Sequence, residues 1–129
     1  MDYLLDTNAL VFFLQDSPRL HNELAEMIER DEAVNYVSLA SLWEISLKFS
    51  LGKLQVDYGD HPDLPGLLSS LGFEILPISW PAMRRASSLP RLHGDPFDRL
   101  LVAECQLRQL PIISADSKLD GYGIERLWR

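Results

Sequence analysis

The sequence has little of what would send a chain out of the cytosol or onto a polyanion. It has one cysteine, Cys105, so no intramolecular disulfide can form and a reducing compartment is expected. Cys105 lies in an apolar helical run and reads as a core residue. No apolar run approaches the ~20 residues of a membrane span, and the first residues lack a signal-peptide pattern. The expectation is a cytoplasmic protein that engages no membrane. Basic residues are in the minority: 12 Lys and Arg face 19 Asp and Glu, for a net charge of −7. That argues against nucleic-acid binding through a basic surface. It does not argue against a substrate held through metal ions, because acids gathered around a cation count fully in the formal charge. No Cys/His cluster has zinc spacing, and the three histidines, His21, His61 and His93, are scattered; none is expected to be catalytic. Repeats, low-complexity tracts and linkers are missing too. The 129 residues, 47% hydrophobic, are enough for one domain, 1–129, with a sizeable core.

What is present is a recurring device. Tyr3-Leu4-Leu5 is a short apolar run stopped by Asp6, and a helical segment, Ala9 to Leu14, follows. Near the other end Pro111-Ile112-Ile113 leads through Ser114 to Asp116. Short buried strands that end in carboxylates suit an α/β fold whose site lies at strand carboxyl ends. Between them, Ser17-Pro18 is expected to open a second helix carrying Leu20, Leu24, Met27 and Ile28 on its apolar side. A strand is expected at 34–37, then a helix capped by Ser38 and running to Leu51, with Gly52 just past its end. After a loop at 57–65 come a short helix at 64–71, ended by Gly72, and a strand at 73–78. Pro77 in that strand marks an edge or an end. Ser79 caps a fifth helix, which stops near Pro90. Asp95-Pro96 opens a sixth, which runs to about Gln109. Ile112-Ile113 is the fourth strand and 124–128 a fifth. Strands alternating with helices imply a parallel sheet with right-handed crossovers.

Each acid has a plain structural reading beside a functional one. Asp6 could only cap the helix after it, as could Asn8. Glu44 sits on a mostly apolar helix, in a polar stripe with Ser41 and Lys48. It could complete a capping box or form an i,i+4 ion pair worth ~0.3–0.5 kcal/mol. A buried carboxylate is costly unless paired or bound to a metal, so a site is the alternative. Asp95 fits a helix cap, whereas Asp98 lies on the face of Leu101, Val102 and Cys105, turned toward the core. Asp116 could be a turn residue. Together they place two acids at strand ends, one on a buried helix and one at a helix start. Carboxylates so close do not all stay ionised without cations, and oxygen-only ligands suit Mg²⁺ or Mn²⁺.

Read in order, the runs 5–10, 41–48, 51–54, 93–103 and 114–116 resemble the PIN-domain ribonucleases, and among them the VapC-type toxins of toxin–antitoxin pairs. The resemblance covers essentially the whole chain. It implies a Rossmann-like PIN domain with a mainly parallel sheet of about five strands between helices. It implies that Asp6, Glu44, Asp98 and Asp116 hold one or two Mg²⁺ or Mn²⁺ ions and that the protein hydrolyses phosphodiester bonds in single-stranded RNA, leaving a 3′-hydroxyl and a 5′-phosphate. Thr7 and Ser114 match polar positions beside the acids, Asn8 follows the first of them, and Asp95 is placed to hold an outer-sphere water. Lys48 and Arg99 are the cations nearest the acids in these runs, either offsetting charge, touching a phosphate or forming a structural ion pair. A homodimer and a cognate antitoxin with a basic arm are the partners implied. Two other readings stand beside this one. A non-catalytic interaction module could share the fold, and a phosphate-handling α/β enzyme could use Asp6 as a nucleophile. Asn8 stands where one phosphatase class needs a second Asp.

Overall fold

A computed structural model describes residues 2–30 and 32–128. Its elements run β1 (Tyr3–Leu5), α1 (Thr7–Leu14), α2 (Asn22–Glu29), β2 (Asn35–Ser38), α3 (Leu39–Ser50), α4 (Leu64–Ser70), β3 (Phe73–Leu76), α5 (Trp80–Ser88), α6 (Pro96–Arg108), β4 (Ile112–Ile113) and β5 (Arg126–Leu127). A 3-10 helix occupies Ser117–Tyr122. The five strands form one sheet in the order β3-β2-β1-β4-β5, and every pairing is parallel.

Strand geometry sends alternate side chains to opposite faces of the sheet, and this splits the core. Leu5 and Ile113 point to the face covered by Leu10 of α1, Leu24 and Ile28 of α2, Leu42 and Ile45 of α3, and Leu68 of α4. Leu4 and Ile112, one residue earlier in each strand, point to the face covered by Leu101, Val102 and Cys105 of α6. All four strand residues are fully buried, each contributing ~1.5–3 kcal/mol relative to an exposed side chain. Cys105 is a buried free thiol, as its apolar neighbours require, and burial pushes it up to about 12. No helix among the described residues is long and apolar enough to cross a membrane.

Several boundaries differ from the sequence reading. Helix α1 begins at Thr7, two residues early, because the Asp6 carboxylate caps it. Helix α2 begins at Asn22 rather than at Ser17. The Ser17 hydroxyl accepts from Arg19 N at 3.2 Å and the Ser17 carbonyl from Leu20 N at 3.1 Å, a local turn that competes with helix. Strand β3 stops at Leu76 on the sheet edge, so Pro77 ends it. Strand β5 spans two residues where 124–128 was expected. The end of α3 follows its Gly52, at φ +72°: Gly52 N bonds Phe49 O at 3.0 Å and Lys53 N bonds Lys48 O at 2.9 Å, the two bonds of a glycine-terminated helix.

The chain proceeds outward from β1 through β2 to β3, then returns to place β4 on the other side of β1. In open parallel sheets the crevice at such a reversal, outside the carboxyl ends of the strands, is where ligands bind. Asp6 leaves β1 at that point, and Asp116 follows β4 three residues after Ile113.

Candidate metal centre

Asp6 is held from two sides. Its Oδ1 accepts from Ala9 N at 2.7 Å, and the Ser114 hydroxyl bonds its carboxyl. The side chain is 5% exposed. Burial is the main force on its ionisation and pushes it up to about 6. The negative fields of Asp116 and Glu44 add to this, while the Ser114 and Ala9 bonds oppose it.

Glu44 reaches the same region from the buried face of α3. Its Oε1 accepts the Thr7 hydroxyl at 2.6 Å, and its Oε2 pairs with Lys48 one turn on. Ser41 Oγ lies 3.0 Å from Thr7 Oγ1. Thr7 has one proton to give and gives it to Glu44, so Ser41 donates to Thr7. The hydrogen bond to Glu44 holds the Lys48 ammonium above its ordinary value. Ser41, Glu44 and Lys48 are therefore linked in one chain through Thr7 at the start of α1.

Asp98 enters from the first turn of α6. Burial, reinforced by Asp95, Asp6 and Glu44, pushes its carboxyl up to about 7, against the opposing field of His93. Asp116 moves the other way. Burial raises it, but the hydrogen bond from His93 and that from Lys118 N together hold it below its ordinary value. Ser114, fully buried, accepts from Asp116 N at 3.0 Å through its hydroxyl oxygen. One polar side chain thus serves both strand-end acids.

His93 was not expected here. Its Nε2 lies 2.7 Å from Asp116 Oδ2 and 3.2 Å from Asp98 Oδ2, and ligand atoms of the three residues all fall within 4.8 Å of one another. Asp6 and Glu44 lie outside this trio but act on Asp98 through their charge. The signal for His93 was its place two residues before a helix cap, where a tight turn folds a side chain back over the helix start.

Three other candidate residues have defined places in the fold. Asp95 is the cap of α6, its Oδ1 accepting from Phe97 N at 2.8 Å and Asp98 N at 3.3 Å. Asn8 is exposed on the first turn of α1, outside this network. Arg99 has partners the sequence reading did not name, and among the described residues it forms no ion pair with an acid. It is 4% exposed, and its guanidinium donates to four backbone carbonyls, Ala86 at 2.7 Å, Leu89 at 2.9 Å, Pro90 at 2.9 Å and His93 at 3.2 Å. A planar fork of donors is suited to a knot of carbonyls at a helix end, and here it ties the end of α5 to the His93 turn.

The donor set fits a hard divalent cation. Acids from two strand ends and two helices act on one another through their charge, and two of them, Asp6 and Asp98, hold protons more tightly than free Asp does. A cation can take the place of those protons. A groove of about 540 Å³ between α5 and α6, lined by Trp80, Arg84, Arg85 and Leu107, contains none of these acids.

A parallel sheet between helices, with acids at its strand reversal, defines an α/β class of fold. Within it, the chain matches the PIN domain model over residues 3–125 and belongs to that family. No curated protein matches the sequence. Among solved structures it resembles VapBC2 from Rickettsia felis bound to a DNA fragment from their promoter, with TM-score 0.72, 17% identity and full coverage of both chains. It also resembles FitAcB from Neisseria gonorrhoeae, with TM-score 0.69, 21% identity, and 97% and 96% of the two chains covered. A toxin–antitoxin complex from Klebsiella pneumoniae matches with TM-score 0.61 and 20% identity over 90% of this chain and 88% of that one.

Proposed function

We propose that the chain, acting as one domain over 1–129, is a metal-dependent endoribonuclease and the toxin of a toxin–antitoxin pair. The observation that supports this reading is the mutual charge effect of Asp6, Glu44, Asp98 and Asp116 near the carboxyl ends of β1 and β4, with Asp6 and Asp98 both raised. These four would hold one or two Mg²⁺ or Mn²⁺ ions. A bound divalent ion supplies Lewis acidity, activating water and offsetting charge on the phosphate and the leaving 3′-oxygen. The chain's own groups do the rest. Thr7 and Lys48 fix the two oxygens of Glu44 in place. Ser114 and the Ala9 amide orient Asp6, and the Lys118 amide and His93 orient Asp116. A flexible single strand suits a crevice at the carboxyl ends of the strands, and hydrolysis would leave a 3′-hydroxyl and a 5′-phosphate.

Partners follow from the same reading. The Klebsiella match is itself a toxin–antitoxin complex, which supports an antitoxin partner here. A protein of net charge −7 with an acidic site suits a partner with a basic arm, and we propose a cytoplasmic homodimer as the form that binds it. The test is cleavage of a labelled RNA pool with Mg²⁺ or Mn²⁺ and with chelator, mapping 5′-phosphate ends. Wild type should cut only with metal. Asp6→Asn, Glu44→Gln, Asp98→Asn and Asp116→Asn should each lose most activity. Equal cutting by wild type and Asp116→Asn, or no cutting by wild type, would sink the nuclease reading and leave an interaction module.

A further inference from the structure

Every polar atom of His93 has a fixed partner. Its backbone N–H donates to the Tyr122 hydroxyl at 2.9 Å, and that hydroxyl donates to Pro90 O at 2.8 Å. Its carbonyl accepts from Arg99 at 3.2 Å. Ring Nδ1 accepts the backbone N–H of Asp95 at 3.1 Å. That bond decides the ring. An amide N–H can only donate, so Nδ1 presents its lone pair and the ring proton sits on Nε2. Nε2–H then faces Asp116 Oδ2 at 2.7 Å and Asp98 Oδ2 at 3.2 Å. The side chain is 10% exposed, so water competes little for these bonds.

His93 therefore lies among metal-ligating atoms while being wired as a donor. A histidine that binds a metal through Nε2 has to carry its ring proton on Nδ1, and usually gives it to a carbonyl or carboxylate. Here the partner of Nδ1 is itself an N–H, and two hydrogens would collide. Ligation by Nε2 would require breaking the Asp95 bond and turning a ring whose backbone is pinned at both ends. The carboxylates are not in conflict with the donor role. Each carboxylate oxygen has two lone pairs, so Asp116 and Asp98 can accept from His93 and still face a cation.

We propose that His93 is a positioning residue of the nuclease site: the Asp95 amide orients its ring so that Nε2–H gathers Asp98 and Asp116, and it stays outside the ligand shell when a divalent ion binds. This rests on the proposed metal site and adds a hydrogen-bond donor to the four acids. It also gives Asp95 a second task, since the residue that caps α6 with its side chain aims the His93 ring with its backbone.

The first measurement uses the wild-type chain and needs no variant. Long-range ¹H–¹⁵N spectra of the histidine rings, taken without metal and then with Mg²⁺, should show His93 protonated on Nε2 in both. A proton on Nδ1 without metal, or a change to metal-bound Nε2 with Mg²⁺, would overturn the proposal. The second is Mn²⁺ affinity, read from the resonance of free Mn²⁺. His93→Ala should weaken binding by ~10–100-fold, the usual effect of removing a group that orients a ligand. His93→Gln, whose amide N–H stands near Nε2, should recover most of it. His93→Ala binding as tightly as wild type would refute the positioning role even if the variant is less stable. Wild type that takes up no Mn²⁺ would overturn the nuclease reading instead, and the ring tautomer without metal would still be decided.

Discussion

Replacing Asp98 by Asn separates what the site does for folding from what it does for ion binding. The Asp98 carboxyl is pushed from 3.8 up to about 7, by burial first and then by Asp95, Asp6 and Glu44. At about 1.36 kcal/mol per unit, ionising it in the metal-free fold is unfavourable by up to ~4 kcal/mol. The side chain is 21% exposed, and solvent screening leaves roughly 2 kcal/mol. Between pH ~4 and ~7 the folded chain holds this proton more tightly than the unfolded chain. Stability therefore falls as pH rises through that window; the penalty is absent below it and complete above it. Asn has no proton to lose. Metal-free Asp98→Asn should exceed wild type by roughly 2 kcal/mol at pH 8, about 6–10 °C in Tm for a chain of this length, and the gap should narrow at pH 5. Saturating Mn²⁺ should reverse the order, since wild type gains ~2.7 kcal/mol at a hundredfold excess over Kd while the mutant gains little. The assay is a set of melting curves at both pH values, with chelator and with Mn²⁺. A mutant that melts below wild type in chelator, and gains as much from Mn²⁺, would make Asp98 an ordinary helix-start acid.

Other substitutions probe the supports of the site. Arg99→Ala leaves four carbonyls without their donor and should lower stability by roughly 3–5 kcal/mol in urea unfolding; Arg99→Lys should rescue little, because one ammonium cannot span the fork. A loss under ~1 kcal/mol would mean water replaces the clamp. Asp95→Asn keeps a good capping group and should reduce RNA cleavage far less than Asp116→Asn; equal inactivation would show that the Asp95 charge itself is needed. Gln109 ends α6 at φ 56° while exposed, so Gln109→Gly should raise stability by ~0.5–1 kcal/mol, and no change in the thermal midpoint would contradict that.

What could be read from the sequence was what local rules control. Two apolar runs stopped by Asp6 and Asp116 located the strand ends, and parallel pairing of β1 with β4 brings them side by side. Ser38 and Gly52 bounded α3, and with its apolar residues they put Glu44 on a buried face. What could not be read depends on groups that meet through space. Nothing in the residue types at 86, 89, 90 and 93 announces four carbonyls aimed at one point, so Arg99 looked like a surface cation close to acids. His93 looked isolated because its partners lie 5 and 23 positions away. Ser17-Pro18 looks like the opening of α2, but the Ser17 hydroxyl closes a turn there instead.

The Arg99 clamp has a consequence for how this region can drift. It grips main-chain oxygens alone, and every residue type has one. Whatever packing tasks the side chains of Ala86, Leu89 and Pro90 have, none is owed to the guanidinium. Substitutions at those positions that preserve the backbone path would leave the clamp intact. A dependence of this kind leaves no paired changes between positions, so this tether of the loop beside the acids is invisible to any comparison that looks for residues changing together.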